Sequence, residues 1–177
     1  MIEETESKIE LIEAKDEELY ELAELAKVIW HDHYTSIIGK EQIEYMLDKF
    51  YSKTALIQQK KEGQQFSFVL QKGNKIGFIA TSFKSECECF IHKFYLKTDH
   101  QSKSIGSLVM NKIKQTFRTS NCETFIFRLT VNRQNYKAIN FYFKNGFKIE
   151  SVADFDIGNG YLMNDFIMVS KMQFNGV

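Results

Sequence analysis

A loop between a strand and a helix carries residues suited to binding phosphate. Residues 90–113 read as a strand, then a polar loop containing Gln101 and Lys103, then a helix opened by Gly106. Such a junction presents unpaired backbone N–H groups and the positive end of a helix dipole, and both favour a phosphate. Gly106 allows close backbone approach, and Lys103 adds positive charge. An ordinary helix start beside a solvated loop is the alternative interpretation, because one glycine is a weak signal.

A histidine lies on the strand before this loop. Strand alternation places His92 on the same face as Phe90, Phe94 and Leu96. A histidine with a pKa near ~6.5 can take a proton from an ammonium group, directly or through water. A histidine that packs in the core or caps an element is the alternative.

The segment 132–147, "NRQNYKAINFYFKNGF", has the pattern of a short helix. Asn135 is a residue type that caps helix starts, and Gly146 is one that ends helices in the left-handed conformation. The phenol of Tyr142, with a pKa near ~10, stays protonated at neutral pH and can donate its proton. The alternative for Tyr142 is a core aromatic packed beside Phe141 and Phe143.

Three aromatic residues share one face of the first predicted helix. Trp30, His33 and Tyr34 are spaced i, i+3 and i+4. Such a cluster could contact a cationic amine by cation–π attraction. The alternative is that Trp30 packs in the core while His33 and Tyr34 frame the end of the helix.

The elements that position these residues alternate between helical and strand periodicity. Helices are predicted at 16–34, 40–52 and 104–118 and in the segment above, and strands at 8–14, 65–71, 75–83, 87–97, 124–131, 148–157 and 161–171. Gly73-Asn74 predicts a hairpin between the second and third strands. The order β-α-α-β-β-β-α-β-α-β-β favours a mixed α/β sheet with helices on its faces.

Composition excludes several classes of protein. The 177 residues suit one domain, and 23 basic and 23 acidic residues give no net charge that would attract nucleic acid or anionic lipid. No apolar run approaches the ~20 residues that span a bilayer. The amino-terminal "MIEETESKIE" is acidic and polar, unlike a signal peptide. We therefore expect a cytoplasmic protein without nucleic-acid or membrane partners.

The three cysteines fit the same expectation. An odd, small number forms no disulfide framework, and the cytosol would keep the thiols reduced. Cys87 and Cys89 form a single C-x-C without a second ligand pair, so strand positions are favoured over a metal site. No metal is expected.

The loop and the helix segment together resemble the GCN5-related N-acetyltransferase (GNAT) family. That family's phosphate loop reads Gln/Arg-x-x-Gly-x-Gly/Ala, and here Gln101 and Gly106 match while Ser104 replaces the first glycine. The family's second block matches at Leu129, Val131, Asn135, Ala138, Phe141, Tyr142, Gly146 and Phe147. The resemblance covers about residues 68–170.

The resemblance implies a GNAT fold, a mixed and mostly antiparallel sheet flanked by helices, in a single N-acetyltransferase domain over 1–177. It implies direct transfer of an acetyl group from acetyl-CoA to an amine in a ternary complex. The pyrophosphate would be held by backbone N–H groups of Gln101, Ser102, Lys103, Ser104, Ile105, Gly106 and Ser107. The pantetheine arm would run beside Phe94, Tyr95 and Leu96 and bond to Asn135, while Lys137 and Lys144 could reach the nucleotide phosphates. Tyr142 would protonate the departing thiolate, and His92 or a water chain would deprotonate the amine.

The acceptor side is less specified. In this family the two amino-terminal helices usually roof the acceptor pocket, and here they carry Trp30, His33 and Tyr34. The layout of this region is loosely similar to the bacterial polyamine acetyltransferase branch. A small-molecule amine or a peptide remains possible as acceptor, and a monomer or homodimer as assembly. The alternative function, motivated by Ser104 and the uncertain base, is a domain that binds or senses acyl-CoA without turnover.

Overall fold

The computed structural model describes residues 9–101, 104–116 and 122–174. It contains seven strands, β1 (Ile9–Glu13), β2 (Gln65–Gln71), β3 (Asn74–Ser85), β4 (Glu88–Leu96), β5 (Thr124–Asn132), β6 (Lys148–Gly158) and β7 (Tyr161–Gln173). It contains five α-helices, α1 (Leu19–Ile38), α2 (Lys40–Tyr51), α3 (Lys53–Lys61), α4 (Ile105–Thr116) and α5 (Tyr136–Lys144). Short 3-10 helices at Asp16–Glu18 and Thr98–His100 complete the described elements.

The strands form one mixed sheet in the order β1-β2-β3-β4-β5-β7-β6. The β4–β5 pair is parallel, whereas β1–β2, β5–β7 and β6–β7 are antiparallel. The predicted hairpin is present, but its turn lies one residue earlier than predicted, at Lys72-Gly73, and Asn74 begins β3. The mixed α/β fold class is therefore confirmed.

The chain divides into two compact units. Unit 1 comprises residues 1–80 and 93–112, and unit 2 comprises residues 81–92 and 113–177. Strands β3 and β4 and helix α4 therefore each contribute residues to both units. The two units are described separately below.

In unit 1, the first three helices follow one another with single-residue breaks. Helix α1 buries an apolar stripe that includes Leu22, Ala26 and Ile29, and Gly39 ends it with a φ of 78°. The sequence predicted two helices here and missed α3. Ser52 starts α3 by accepting a hydrogen bond from the Ala55 amide. Only Leu56 is buried on α3, so its sequence carries no apolar stripe to predict it.

In unit 2, both ends of α5 agree with the sequence. The Asn135 side chain accepts a hydrogen bond of 3.1 Å from the Ala138 amide. At the other end, Gly146 has a φ of 82°, and the Phe147 amide donates to the Tyr142 carbonyl. Asn135 and Gly146 thus fix where this helix begins and ends.

The expectation of three reduced cysteines is wrong. Cys87 and Cys122 are joined by a disulfide in unit 2, and Cys87 lies in the turn before β4 rather than on a strand. The Ile126 amide donates to the Cys87 carbonyl, so the parallel β4–β5 pairing brings these two positions together although 35 residues separate them. Cys89 remains free on β4, and burial raises its pKa to about 12, which keeps this thiol unreactive.

Within the described ranges, no helix is both long and apolar enough to cross a membrane. Those ranges also contain no group of three or more His, Cys, Asp or Glu side chains that could hold a metal ion.

Candidate functional site

In unit 1, the predicted phosphate loop follows β4 and leads into α4. The Gln101 side-chain amide donates to the Leu96 carbonyl at 2.8 Å, which ties the loop to the end of the strand. Ser104 has a φ of 58°, the left-handed conformation that glycine favours, so it occupies the family's glycine position in the backbone shape a glycine would adopt. Ile105 and Gly106 are buried in the first turn of α4, and Ser107 is half-buried. Ser102 and Lys103 lie outside the described residues.

The end of β4, predicted to run beside the pantetheine arm, is closely packed against β3. Phe94 and Tyr95 are half-buried and Leu96 is buried. A Cβ on Gly77 would collide with the Tyr95 carbonyl oxygen and with Leu96, so only glycine permits this approach. The burial alternation that runs from Glu88 to Phe94 breaks at Tyr95 and Leu96.

A buried lysine on β4 was missed from the sequence. Lys93 is 9% exposed, and its Nζ donates to the side-chain oxygens of Gln59 at 2.5 Å and Gln64 at 3.3 Å. The same Nζ lies 5.5 Å and 5.4 Å from the ring centroids of Tyr51 and Phe66. Burial lowers the pKa of Lys93 to about 8. Alternation could have found it, since Lys93 continues the buried face of Cys89 and Ile91.

Aromatic rings surround the predicted acceptor-contact residue Trp30. Its ring centroid lies 4.7 Å from that of Tyr34, 5.5 Å from Tyr51 and 5.8 Å from Tyr95. The ring of His33 meets that of Tyr34 edge-on at 4.8 Å. Burial raises the pKa of the Tyr51 hydroxyl, with a further increase from Tyr34, while hydrogen-bonding interactions with Tyr95 and Trp30 oppose it. We call Trp30, Tyr34, Tyr51, Phe78 and Tyr95 the aromatic cluster.

Trp30 is buried in this cluster, with 4% of its surface exposed. Its buried indole N–H has no hydrogen-bond partner among the described residues. His33 and Tyr34 are half-buried. The packing role of Trp30 is therefore visible, and the acceptor-binding role of all three residues stays a prediction.

In unit 2, Tyr142 faces inward from α5. It is 8% exposed, and its ring centroid lies 5.3 Å from that of Phe141 and 5.5 Å from that of Phe147. Lys137 and Lys144 are exposed on the same helix. The Lys114 Nζ donates to the Asn145 carbonyl at 2.7 Å and the Ser170 hydroxyl at 3.0 Å, which fixes the carboxyl end of α5. The Tyr142 ring is thus buried between two aromatic neighbours on a helix whose carboxyl end is hydrogen-bonded to Lys114.

His92, the predicted base, is also held in unit 2. Its Nε2 lies 2.7 Å from the hydroxyl oxygen of Ser82, a buried residue of β3, and its ring centroid lies 4.7 Å from that of Phe90. The β4–β5 pairing covers Glu88–Ile91 and Ile126–Leu129 and stops there. His92 thus follows the last paired residue of β4, where a side chain is no longer flanked by a paired neighbour on β5.

The other group missed from the sequence is Asp165 on β7. It is 5% exposed and lies opposite Asn132 in the β5–β7 register. Burial raises its pKa to about 6, and the nearby charge of Asp154 adds to this, while the Thr130 hydroxyl and the Arg133 charge act in the opposite direction. No sequence signal identified it, because acidic residues in a terminal strand are usually solvated.

Comparison with known proteins gives consistent results. A model described as "Acetyltransferase (GNAT) family" matches residues 17–147. A spermidine N(1)-acetyltransferase of Thermoplasma acidophilum is 29% identical over 170 residues, which cover 93% of this chain and 98% of that protein. The crystal structure of PaiA N-acetyltransferase from Thermoplasma acidophilum in complex with coenzyme A has a TM-score of 0.75 at 29% identity, covering 93% of this chain and 99% of that one. A GCN5-related N-acetyltransferase structure from Rhodopseudomonas palustris shares the fold, with a TM-score of 0.74 at 16% identity and coverage of 94% and 97%.

Proposed function

Because the chain belongs to the GNAT family of acetyltransferases, we propose that it moves an acetyl group from acetyl-CoA to a primary amine of a small, polyamine-like acceptor. The observation that carries the acceptor class is the similarity to a spermidine N(1)-acetyltransferase along almost the whole of both chains. Acetyl-CoA as donor is supported by the coenzyme A complex of the similar PaiA structure. The proposal treats 1–177 as one N-acetyltransferase domain in the cytoplasm, where acetyl-CoA is available. The Cys87–Cys122 disulfide argues against a reducing compartment, so the location rests on the donor alone.

In the proposed mechanism the amine attacks the thioester directly in a ternary complex. The amine nitrogen forms a bond to the carbonyl carbon, and the carbon–sulfur bond breaks. His92, hydrogen-bonded to Ser82, takes the ammonium proton directly or through water. Tyr142 gives its proton to the departing thiolate, and its phenolate regains a proton from the newly acylated nitrogen, directly or through water. Free coenzyme A and the acetylated amine result, and His92 returns its proton to solvent.

In the proposed complex the loop, the end of β4 and α5 supply the contacts to the coenzyme. Backbone N–H groups from Gln101 to Ser107 hold the pyrophosphate, and the left-handed backbone of Ser104 supports this by reproducing the shape of a glycine. Phe94, Tyr95 and Leu96 lie along the pantetheine, Asn135 bonds to it, and Lys137 and Lys144 reach toward the phosphates. The loss of the loop glycine was one reason to consider a non-catalytic domain, and the backbone conformation of Ser104 weakens that reason.

The test is thiol release from acetyl-CoA with a panel of amines. We expect release with spermidine and with shorter diamines, and little with peptide amino termini. Release only with peptides would contradict the acceptor class. Coenzyme binding without thiol release on any amine would instead favour the alternative, a domain that senses acyl-CoA.

For assembly, we propose a homodimer rather than a monomer. Strand β6 lies at the end of the strand order and exposes Ile149, Val152 and Phe155 along its length. A long apolar edge strand is a favourable pairing surface for a second copy of the chain. Light scattering after size-exclusion chromatography gives the mass directly, and a monomeric mass at micromolar concentration would contradict this part of the proposal.

A further inference from the structure

Unit 2 contains a buried carboxyl group that the mechanism above does not use. Asp165 is 5% exposed on β7, between Asn132 of β5 and Ala153 of β6 in the strand register. Its polar neighbour is the hydroxyl of Thr130. A buried carboxylate that relies on a neutral hydroxyl is costly unless a cation joins it.

The basic residue whose charge acts on Asp165 is already engaged elsewhere. The Arg133 guanidinium forms an ion pair with Asp154, which is largely exposed on β6. The positive charge of Arg133 favours the charged form of Asp165, whereas the negative charge of Asp154 disfavours it. The two electrostatic effects partly cancel. Within the described part of unit 2, Asp165 has no ion-pair partner of its own.

Asp165 lies on the same face of the sheet as His92. The parallel register pairs Phe90 with Arg128, so His92, two residues on, shares the face of Thr130. The antiparallel register pairs Asn132 with Asp165, which places Asp165 on that face as well. A polar row thus crosses four strands, Ser82 on β3, His92 on β4, Thr130 on β5 and Asp165 on β7. His92 and Asp165 are two strands apart and offset by two residues along the strands, so they are separated by about 12 Å.

We propose that Asp165 selects acceptors that carry a second amine, by binding the non-reacting ammonium group while the reacting amine lies at His92. This inference rests on the proposed function, since it assigns the acceptor's second charge to a residue of the same reaction. A carboxylate holds an ammonium group in its charged form, which suits the amine that does not react. The spacing of the row suits a flexible diamine or polyamine, whose cationic groups are separated by a few methylenes.

The experiment compares a diamine with a monoamine of the same carbon chain, 1,4-diaminobutane with 1-aminobutane, in the full-length protein. In Asp165→Asn we expect kcat/KM for the diamine to fall at least tenfold, mainly through KM, with the monoamine value unchanged within twofold. The matched control is Asp156→Asn, which removes an exposed carboxylate on β6 and keeps an acceptor for the Gly158 amide. It should leave both values unchanged. An unaltered diamine-to-monoamine ratio in Asp165→Asn would overturn the inference.

A second measurement needs no variant. In the wild-type protein the ratio of diamine to monoamine kcat/KM should fall as the pH drops below about 6, because Asp165 becomes protonated. Taking the ratio cancels the titration of His92, which acts on both substrates, and that of the reacting amine, which each substrate carries. A ratio that is constant from pH 5 to 8 would also overturn the inference.

Failure of the proposed function gives a different result. If the wild-type protein released no thiol with any amine, the proposed reaction would be wrong. Calorimetric titration of 1,4-diaminobutane into the protein saturated with coenzyme A would then test Asp165 alone. At least tenfold weaker binding of the diamine to Asp165→Asn than to Asp156→Asn would support the role of Asp165. Equal binding to the two variants, or no binding to the wild type, would overturn it.

Discussion

The two units bury charges of opposite sign. Unit 1 buries the ammonium group of Lys93 among aromatic rings and glutamine oxygens, whereas unit 2 buries the carboxyl group of Asp165 beside a hydroxyl. Both pKa values move toward neutrality, to about 8 and about 6, because burial penalises whichever form is charged. Each unit therefore holds a group that is close to changing its charge at physiological pH.

The difference bears on where a cationic acceptor is favoured. The Lys93 Nζ lies 5.5 Å from the centroid of Tyr51, whose ring is 5.5 Å from that of Trp30. A second cation at the aromatic cluster would be repelled by this ammonium group, and part of the ring surface is already used for cation–π contact. The polar row of unit 2 ends on an acid, and the positive charge of Arg133 that acts on this acid is already paired with Asp154. The comparison thus favours Asp165 over Trp30 as the acceptor's charged contact.

The largest expected effect is the loss of stability when the disulfide is removed, because this cross-link joins residues of one unit only. The Cys87–Cys122 disulfide lies wholly in unit 2. Replacing both cysteines by serine should lower the free energy of unfolding by about 3–4 kcal/mol, because a loop of this length is no longer closed in the unfolded chain. The melting temperature should fall by about 10 °C.

Reductant supplies the control for this prediction. Dithiothreitol should lower the melting temperature of the wild type and leave that of the double-serine variant unchanged. Amide hydrogen exchange should show the loss of protection first in β5 of unit 2. Unchanged protection in β5 would contradict a stabilising role of the disulfide.

The next effect concerns the buried charge of unit 1. From pH 8 to about 10.5, native Lys93 loses its proton while the unfolded chain keeps it, so the unfolded state binds more protons and stability rises with pH. The wild type should therefore gain about 3 kcal/mol relative to Lys93→Met over this interval. Urea unfolding at several pH values measures it.

Lys53→Met is the matched control, because it removes an exposed lysine from α3, the helix that supplies Gln59. The difference between this variant and the wild type should stay constant with pH. A constant difference for Lys93→Met as well would show that its ammonium group is solvated.

The smallest effect concerns the loop of unit 1. Ser104 adopts a left-handed backbone that costs a non-glycine residue free energy. Ser104→Gly should raise the free energy of unfolding by about 0.5–1 kcal/mol, and acetyl-CoA should bind at least as tightly. Ser107→Gly, inside α4, should instead lower it by about 1 kcal/mol. Destabilisation by Ser104→Gly would show that its hydroxyl, and not its backbone, defines the loop.

Local signals in the sequence predicted the fold well. Asn135 and Gly146 were correctly placed at the two ends of α5, because capping depends on neighbouring residues. The hairpin at Gly73 was likewise found from its turn chemistry. Helix α3 was missed because Ser52 interrupts the helix where the amphipathic pattern of α2 ends.

Features that depend on contacts distant in sequence were not predicted. The disulfide requires the parallel pairing of β4 with β5, which no cysteine spacing reveals. The burial of Asp165 depends on its position between β5 and β6, and its sequence context resembles an ordinary surface strand. Lys93 could have been found by continuing the alternation of β4, but a lysine is rarely placed in a core without a partner.

The most direct test of the proposed chemistry compares two tyrosines on one helix. Tyr142 is buried on α5, and Tyr136, at its start, is 71% exposed. Tyr142→Phe should lower kcat for amine acetylation by about a hundredfold or more, because the thiolate loses its proton donor. The Kd for acetyl-CoA should stay within twofold, and Tyr136→Phe should change neither value. A Tyr142→Phe variant that keeps the wild-type kcat would contradict the account.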